Sequence, residues 1–403
     1  MDFDVIKPLL KEDQKSKIVL LVMDGLGGLP MTEGGKTELE SAVKTNMDAL
    51  AAKSVLGAHH PLPFGLTPGS GAAHLGLFGF DPVKYEIGRG VLSALGVDFD
   101  LQKGDVAARG NFCTVDSEGV ITDRRAGRIP TEVGEKLCQL LMEKINIPGV
   151  EVILQVEKEY RFVFVLRGEG LSGEVSDTDP QAIGKKAQIA KAVLPQAEKT
   201  AEFIREFVRQ GNEILAAEHP ANSFVLRGFA QLPKWPTFGE IWGVNPVAIA
   251  MYPMYRGVAK VVGMTVLEAA ASMDEEITML EQNWDKYDFF FVHIKKTDSY
   301  GEDGNFDAKV HIIEEVDALL PRILALDPDV LIITGDHSTP AKLKAHSWHP
   351  VPTMLYSKTC LPDGLTTYGE RACAKGSLGS RFEATDLMPY ALAHALRLEK
   401  FGA

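Results

Sequence analysis

The chain has only four cysteines in 403 residues, Cys113, Cys138, Cys360 and Cys373, with no CxxC pair and no histidine at zinc-finger spacing. That scarcity argues against a disulfide framework and reads as reduced thiols in a cytoplasmic protein. Long hydrophobic runs are missing as well. Residues 1–17 are charged and broken by Pro8, unlike a signal peptide, and no later apolar run approaches membrane-spanning length, so no membrane association is expected. Positive charge is in deficit: 42 Lys and Arg against 55 Asp and Glu give a formal net charge of −13, which argues against a nucleic-acid partner. If the substrate is anionic, the cations that meet it must be gathered locally.

What the chain does hold is apolar residue, 45% of the total, enough for a sizeable core, and its length suggests two domains or one large domain with an insertion. Ile18 to Met23 reads as a buried strand running into Asp24 and a glycine-rich loop. Thr45 to Lys53 reads as a short helix, and small residues begin another at Ser70, after Thr67, Pro68 and Gly69. From about Asp98 the texture changes to hairpins, Asp105–Thr114 turning into Val120–Arg124 and Val152–Val156 turning into Phe162–Leu166, followed by a helix over 197–217. Parallel-sheet texture returns with Val247–Ala250, Phe289–Ile294, an amphipathic helix carrying Ile313, Val316, Leu320 and Ile323, and Val330–Thr334. The expected architecture is α/β: a discontinuous domain of residues 1–98 and 240–403 with a mostly parallel sheet, interrupted by an α+β domain of residues 99–239.

Three apolar strands end in chemistry-bearing loops: Asp24, Asp298, and Asp336 with His337. Ligands of open α/β sheets bind beyond the carboxyl ends of strands, so these loops are expected to converge. A single Asp after a strand is usually a turn or cap residue, but three, with His337, His346 and His349 close in sequence, suit divalent metals. Two cations a few ångström apart can clamp the attacking and leaving oxygens of a displacement. Ser70 at a helix N-terminus is either a plain cap or a nucleophile placed where backbone N–H groups welcome a phosphate. A neutral serine needs a base or a metal to activate it. In the inserted section Arg109, Arg124, Arg125, Arg128, Arg161 and Arg227 could hold a phosphate-bearing acid, although most surface arginines do no more than solvate.

The motifs MDGLGG (Met23–Gly28), TPGS (Thr67–Ser70), TD (Thr297–Asp298), GDHSTP (Gly335–Pro340) and AHSxxPVP (Ala345–Pro352) resemble, in that order, the archaeal-type cofactor-independent phosphoglycerate mutases of the alkaline phosphatase superfamily. RGNF (Arg109–Phe112), DRRAGR (Asp123–Arg128), LRGEGLS (Leu166–Ser172) and SDTDP (Ser176–Pro180) extend the resemblance through the insertion. It implies an alkaline-phosphatase-like sheet sandwiched by helices with an inserted substrate-binding cap, and interconversion of 3- and 2-phosphoglycerate through a phosphoserine at Ser70. One metal would be held by Asp24, Ser70, Asp336 and His337, a second by Asp298, position 302 and His346.

Where the family reads GHDG, this chain has Gly301, Glu302, Asp303 and Gly304, a carboxylate for a histidine that favours Mn²⁺ or Mg²⁺ over Zn²⁺. His349 also departs from the family pattern and is expected beside His346. By the same resemblance Asp177 is the general acid/base, and Arg227 and Arg256 join the substrate-binding arginines. The partner implied is a small phosphorylated hydroxy acid. A metal-dependent phosphatase or phosphodiesterase, or a metal- and phosphate-binding protein without turnover, are the rival readings. The sequence leaves oligomeric state open.

Overall fold

A computed structural model describes residues 3–12 and 14–402. The chain forms two compact units, residues 1–86 with 235–403, and residues 87–234. Strands β1 (Ile18–Met23) and β2 (Val55–His60) come first. The second unit holds β3 (Val106–Val115), β4 (Ile121–Asp123), β5 (Glu151–Lys158), β6 (Arg161–Arg167) and β7 (Ser223–Ala230). β8 (Pro246–Ala250), β9 (Thr265–Val266), β10 (Phe289–Ile294), β11 (Val330–Thr334), β12 (Val351–Ser357) and β13 (Gly379–Glu383) complete the first.

The first unit is built on an eight-stranded sheet in the order β13-β2-β12-β11-β1-β10-β8-β9. All its pairs are parallel except those β12 makes with β11 and β2. β1, β8, β10 and β11 are buried along their whole length, which is why they read as continuous apolar runs rather than alternating ones. On one face Val19, Leu21, Phe290, Val292, Leu331 and Ile333 pack with Ile313, Val316 and Leu320 of the helix Phe306–Ala325. Each such side chain contributes roughly 1.5–3 kcal/mol by leaving water. Among the described residues no helix is long and apolar enough to cross a membrane.

The register of the central strands decides what meets beyond them. Met23 lies opposite Ile294, and Val22 opposite Thr334. Asp24, Lys295 and Gly335-Asp336 therefore leave three adjacent strands at the same edge of the sheet.

In the second unit β3 runs antiparallel between β6 and β7. One face is covered by the helices Thr131–Lys144 and Glu198–Leu215, through Leu137, Leu141, Ile204 and Phe207 packed with Phe112, Phe162, Phe164 and Phe224. Arg109 and Arg227 face each other across β3 and β7. The alternation that puts Ala108, Phe112 and Leu226 in that core turns both arginines to the opposite face.

The unit bounds at 86/87 and 234/235 differ from the expected 98/99 and 239/240. The helix Arg89–Gly96 belongs with β3, against which Gly90 lies so close that a Cβ there would stand 2.2 Å from the carbonyl oxygen of Ala107. A contact between a helix and a strand that comes only after a loop leaves no trace in hydrophobic texture, the signal by which the sequence suggests a boundary.

Candidate active site

The helix Ser70–Leu77 begins with Gly69 as its cap, and Ser70 is its first helical residue. The reading of Ser70 as a plain cap is therefore incorrect. Its hydroxyl lies instead 3.3 Å from Nε2 of His337. Around that nitrogen stand Oδ1 of Asp24 at 3.4 Å and Oδ2 of Asp336 at 3.2 Å, all on fully buried side chains.

Two groups of potential ligands emerge, Asp24 with Asp336 and His337, and Asp298 with His337 and His346, the atoms of each within 4.8 Å of one another. His337 is common to both, where the sequence reading gave it to one metal. Glu302 stands at the open edge, its Oε1 3.7 Å from Nε2 of His346, with a side chain 55% exposed. It is the expected ligand that the structure holds least tightly.

Hydrogen bonds fix the tautomers. The single hydroxyl proton of Thr339 goes to Oδ1 of Asp298 at 2.6 Å, so His337 must donate its Nδ1–H to the hydroxyl oxygen of Thr339 at 3.0 Å. Nε2 is left with a free lone pair among the carboxylates. His346 likewise gives Nδ1–H to the carbonyl of Pro68 at 2.9 Å and turns Nε2 toward Asp298 and Glu302. Partners of this kind orient imidazoles as metal ligands. Burial, opposed by Asp336 and Asp24, holds His337 below its ordinary pKa and hence neutral. For Asp336 burial would push the carboxyl up, yet His74 beside it and the N–H of Gly25 hold it well below the usual range.

The residues fit divalent cations. Oδ1 of Asp24 and Oδ2 of Asp336 are buried without a hydrogen-bond partner, and anionic oxygens out of water require a countercharge. The donor set of carboxylate, imidazole and hydroxyl suits Mn²⁺, Mg²⁺ or Zn²⁺.

Several participants escaped the sequence. Lys295, directly after β10, reaches Asp24, Asp298 and the hydroxyl of Tyr255. His74, one turn after Ser70 on the same helix, lies 3.2 Å from Asp336. Lys309 is fully buried and gives its ammonium to the carbonyls of Gly25, Gly27 and Thr339, tying the Asp24 loop to the Asp336 loop. Strand-end position was the signal available for Lys295 and i,i+4 spacing from Ser70 the signal for His74, and neither was used; nothing local marked Lys309. His349 meets Ser347 and the ring of Trp348 rather than His346. Arg256 is buried and donates to the carbonyl of Leu267.

The second unit holds a cluster of the opposite sign. Burial first, then Arg227, lower Arg109 to about 10, with Glu157 pulling the other way and Arg89 and Arg161 adding to the repulsion. Arg89 is lowered too, by burial and Arg227, against Asp177. Gly228, at φ +69°, allows this packing: a Cβ there would lie 2.7 Å from that of Arg89, and its N–H donates to Oδ1 of Asp177 at 2.6 Å. Arg124 pairs with Asp179 at 2.8 Å. Arg125 and Arg128 are exposed, on the tight turn at 126–128. The Nε atoms of Arg109, Arg124 and Arg227 are buried without a partner. Guanidinium groups so arranged suit a carboxylate or phosphate.

Fold and clustered donors together define a class, the metal-dependent α/β enzymes. Residues 51–222 match the family model described as 2,3-bisphosphoglycerate-independent phosphoglycerate mutase. The chain is 51% identical, over 99% of its length and the whole of the relative, to a probable 2,3-bisphosphoglycerate-independent phosphoglycerate mutase of Aquifex aeolicus. It is similar to the solved PH0037 protein of Pyrococcus horikoshii (TM-score 0.83, 31% identity, 97% of this chain and 100% of that one). It is similar as well to a cofactor-independent phosphoglycerate mutase from Thermoplasma acidophilum (TM-score 0.71, 26% identity, 94% and 100%). The chain belongs to the 2,3-bisphosphoglycerate-independent phosphoglycerate mutases.

Proposed function

We propose that this chain interconverts 3-phosphoglycerate and 2-phosphoglycerate, in glycolysis or gluconeogenesis in the cytoplasm, by passing the phosphoryl group through Ser70. The observation that carries the mechanism is the Ser70 hydroxyl, free of any capping role and 3.3 Å from a deprotonated imidazole nitrogen amid buried carboxylates. Ser70 would react as the alkoxide that a bound cation stabilises, its hydroxyl proton already released to solvent: its oxygen attacks phosphorus, the bond from phosphorus to the substrate's ester oxygen breaks, and that oxygen leaves with a proton from Asp177. The other hydroxyl of glycerate then attacks the phosphoserine, returning a proton to Asp177 and restoring Ser70. Arg109, Arg227, Arg124 and Arg89 hold the substrate's carboxylate between the two transfers, and Arg125 and Arg128 contribute positive charge nearby in sequence.

Asp24, Ser70, Asp336 and His337 would hold one divalent cation, and Asp298, Glu302 and His346 another, with His337 at their junction. Such cations lower the pKa of a serine hydroxyl and neutralise charge on a phosphoryl group. Glu302 in place of a histidine favours manganese over zinc; zinc at both sites after loading under competition would contradict this preference.

The test is an enolase-coupled assay with 3-phosphoglycerate on chelator-stripped protein resupplied with Mn²⁺, with no bisphosphoglycerate added and inorganic phosphate followed in parallel. Metal-dependent 2-phosphoglycerate without free phosphate is the expected result. Phosphate release alone would make the chain a hydrolase.

A further inference from the structure

Asp24 and Asp298 divide their oxygens between two directions. Oδ1 of Asp24 lies 3.4 Å from Nε2 of His337, and Oδ1 of Asp298 lies 3.5 Å from Nε2 of His346, so both face the imidazole ligands. The Oδ2 atoms meet Nζ of Lys295, at 3.0 Å from Asp24 and 2.5 Å from Asp298. The third proton of the ammonium is taken by the hydroxyl of Tyr255 at 3.2 Å. The rings of Tyr252 and Tyr255 flank the charge at 5.7 and 5.5 Å. An ammonium has three donors, and here each has a protein acceptor, which leaves none for a substrate.

We propose that Lys295 is a positioning residue that serves as a built-in third cation. It holds the outer oxygens of Asp24 and Asp298 so that each carboxylate offers only its inner oxygen to a metal, and it limits the site to two ions. This rests on the two-cation reading of the site given above. Four carboxylates, Asp24, Asp298, Glu302 and Asp336, offset two divalent cations. An incoming phosphoryl group adds further negative charge, which the fixed ammonium reduces without occupying a metal position.

The proposal predicts a change in metal count rather than a simple loss. With the lysine gone, two buried carboxylate oxygens face each other across a vacated space, and a third divalent ion should enter it. The probe is Mn²⁺ alone, counted after equilibrium dialysis and gel filtration. Wild type and Lys295→Arg should hold two ions per chain, and Lys295→Ala three, with the extra ion displaced by methylammonium. Two or fewer in Lys295→Ala, beside two in wild type, overturns the role of Lys295. Fewer than two in wild type removes the two-cation reading and the lysine's role with it. Should Lys295→Ala fail to fold, ¹⁵N-lysine spectra of wild type loaded with Mg²⁺ decide, Lys295→Arg giving the assignment. The Lys295 ammonium should remain slowly exchanging and hydrogen-bonded, and a solvated signal would overturn the proposal.

Discussion

The two units carry charge clusters that err in opposite directions. In the first, Asp24, Asp298 and Asp336 are buried with neutral His337 among them, and the set lacks positive charge even after Lys295 is counted. In the second, Arg227 lowers the basicity of Arg109 and Arg89, and the guanidinium groups outnumber the carboxylates of Asp177, Asp179 and Glu157 beside them. Each arrangement costs stability in isolation and is relieved by a ligand of the missing sign. A phosphorylated hydroxy acid presents both kinds of group: a phosphate for cations to clamp and a carboxylate for guanidinium forks.

The largest expected effect separates chemistry from this electrostatics. Ser70→Ala leaves both clusters in place and removes the nucleophile, so turnover should fall by roughly 10⁴-fold or more with the melting temperature unchanged. Substantial residual mutase activity would break the covalent scheme. Next is Lys309→Met, which strands three carbonyls beneath the metal loops. A loss of about 3 kcal/mol in urea unfolding is expected, with weaker Mn²⁺ binding, and an unchanged midpoint would contradict it.

Arg109→Met sharpens the comparison from the other side. It relieves repulsion in the second unit, so the substrate-free protein should melt no lower than wild type, while KM rises about tenfold. A lower melting temperature with KM unchanged would mean that the arginine serves the fold alone.

The effect least tied to activity concerns a buried carboxyl outside both clusters, read as a slope against pH. Burial raises the Glu276 carboxyl to about 8 in the folded chain, from an ordinary value of 4.5. The folded form keeps a proton that the unfolded chain releases, so this stability is full below pH 4.5 and declines at about 1.4 kcal/mol per pH unit as pH rises toward 8. Glu276→Gln should flatten that part of the stability profile, and an unaltered slope would show that the carboxyl does not carry it.

Much of the first cluster was legible because fully buried parallel strands write themselves as apolar runs, and the residues just past the end of each run sit at the sheet's edge. Asp24, Asp336 and His337 were found that way. The same logic extends to Lys295, which the sequence reading passed over: a lysine after a strand reads as solvated surface until β10 is known to lie beside β1, a pairing that joins residues 271 positions apart. His337 standing in both ligand groups, and Glu302 at the margin, depend on side-chain placement that spacing does not encode. In the second unit the texture of β3 reveals a hairpin, yet Arg89 escapes because the expected boundary at 98/99 puts it in the other domain. Arg125 and Arg128, which share a motif with Arg124, lie exposed instead.

The central claim is transfer through Ser70, and the direct measurement is peptide mapping by mass spectrometry after acid-quenching the Mn²⁺-loaded protein during turnover of 3-phosphoglycerate. Phosphate on Ser70, lost when the product side is drained by enolase and absent without metal, is the predicted result. Full mutase turnover with Ser70 unmodified throughout would contradict the account.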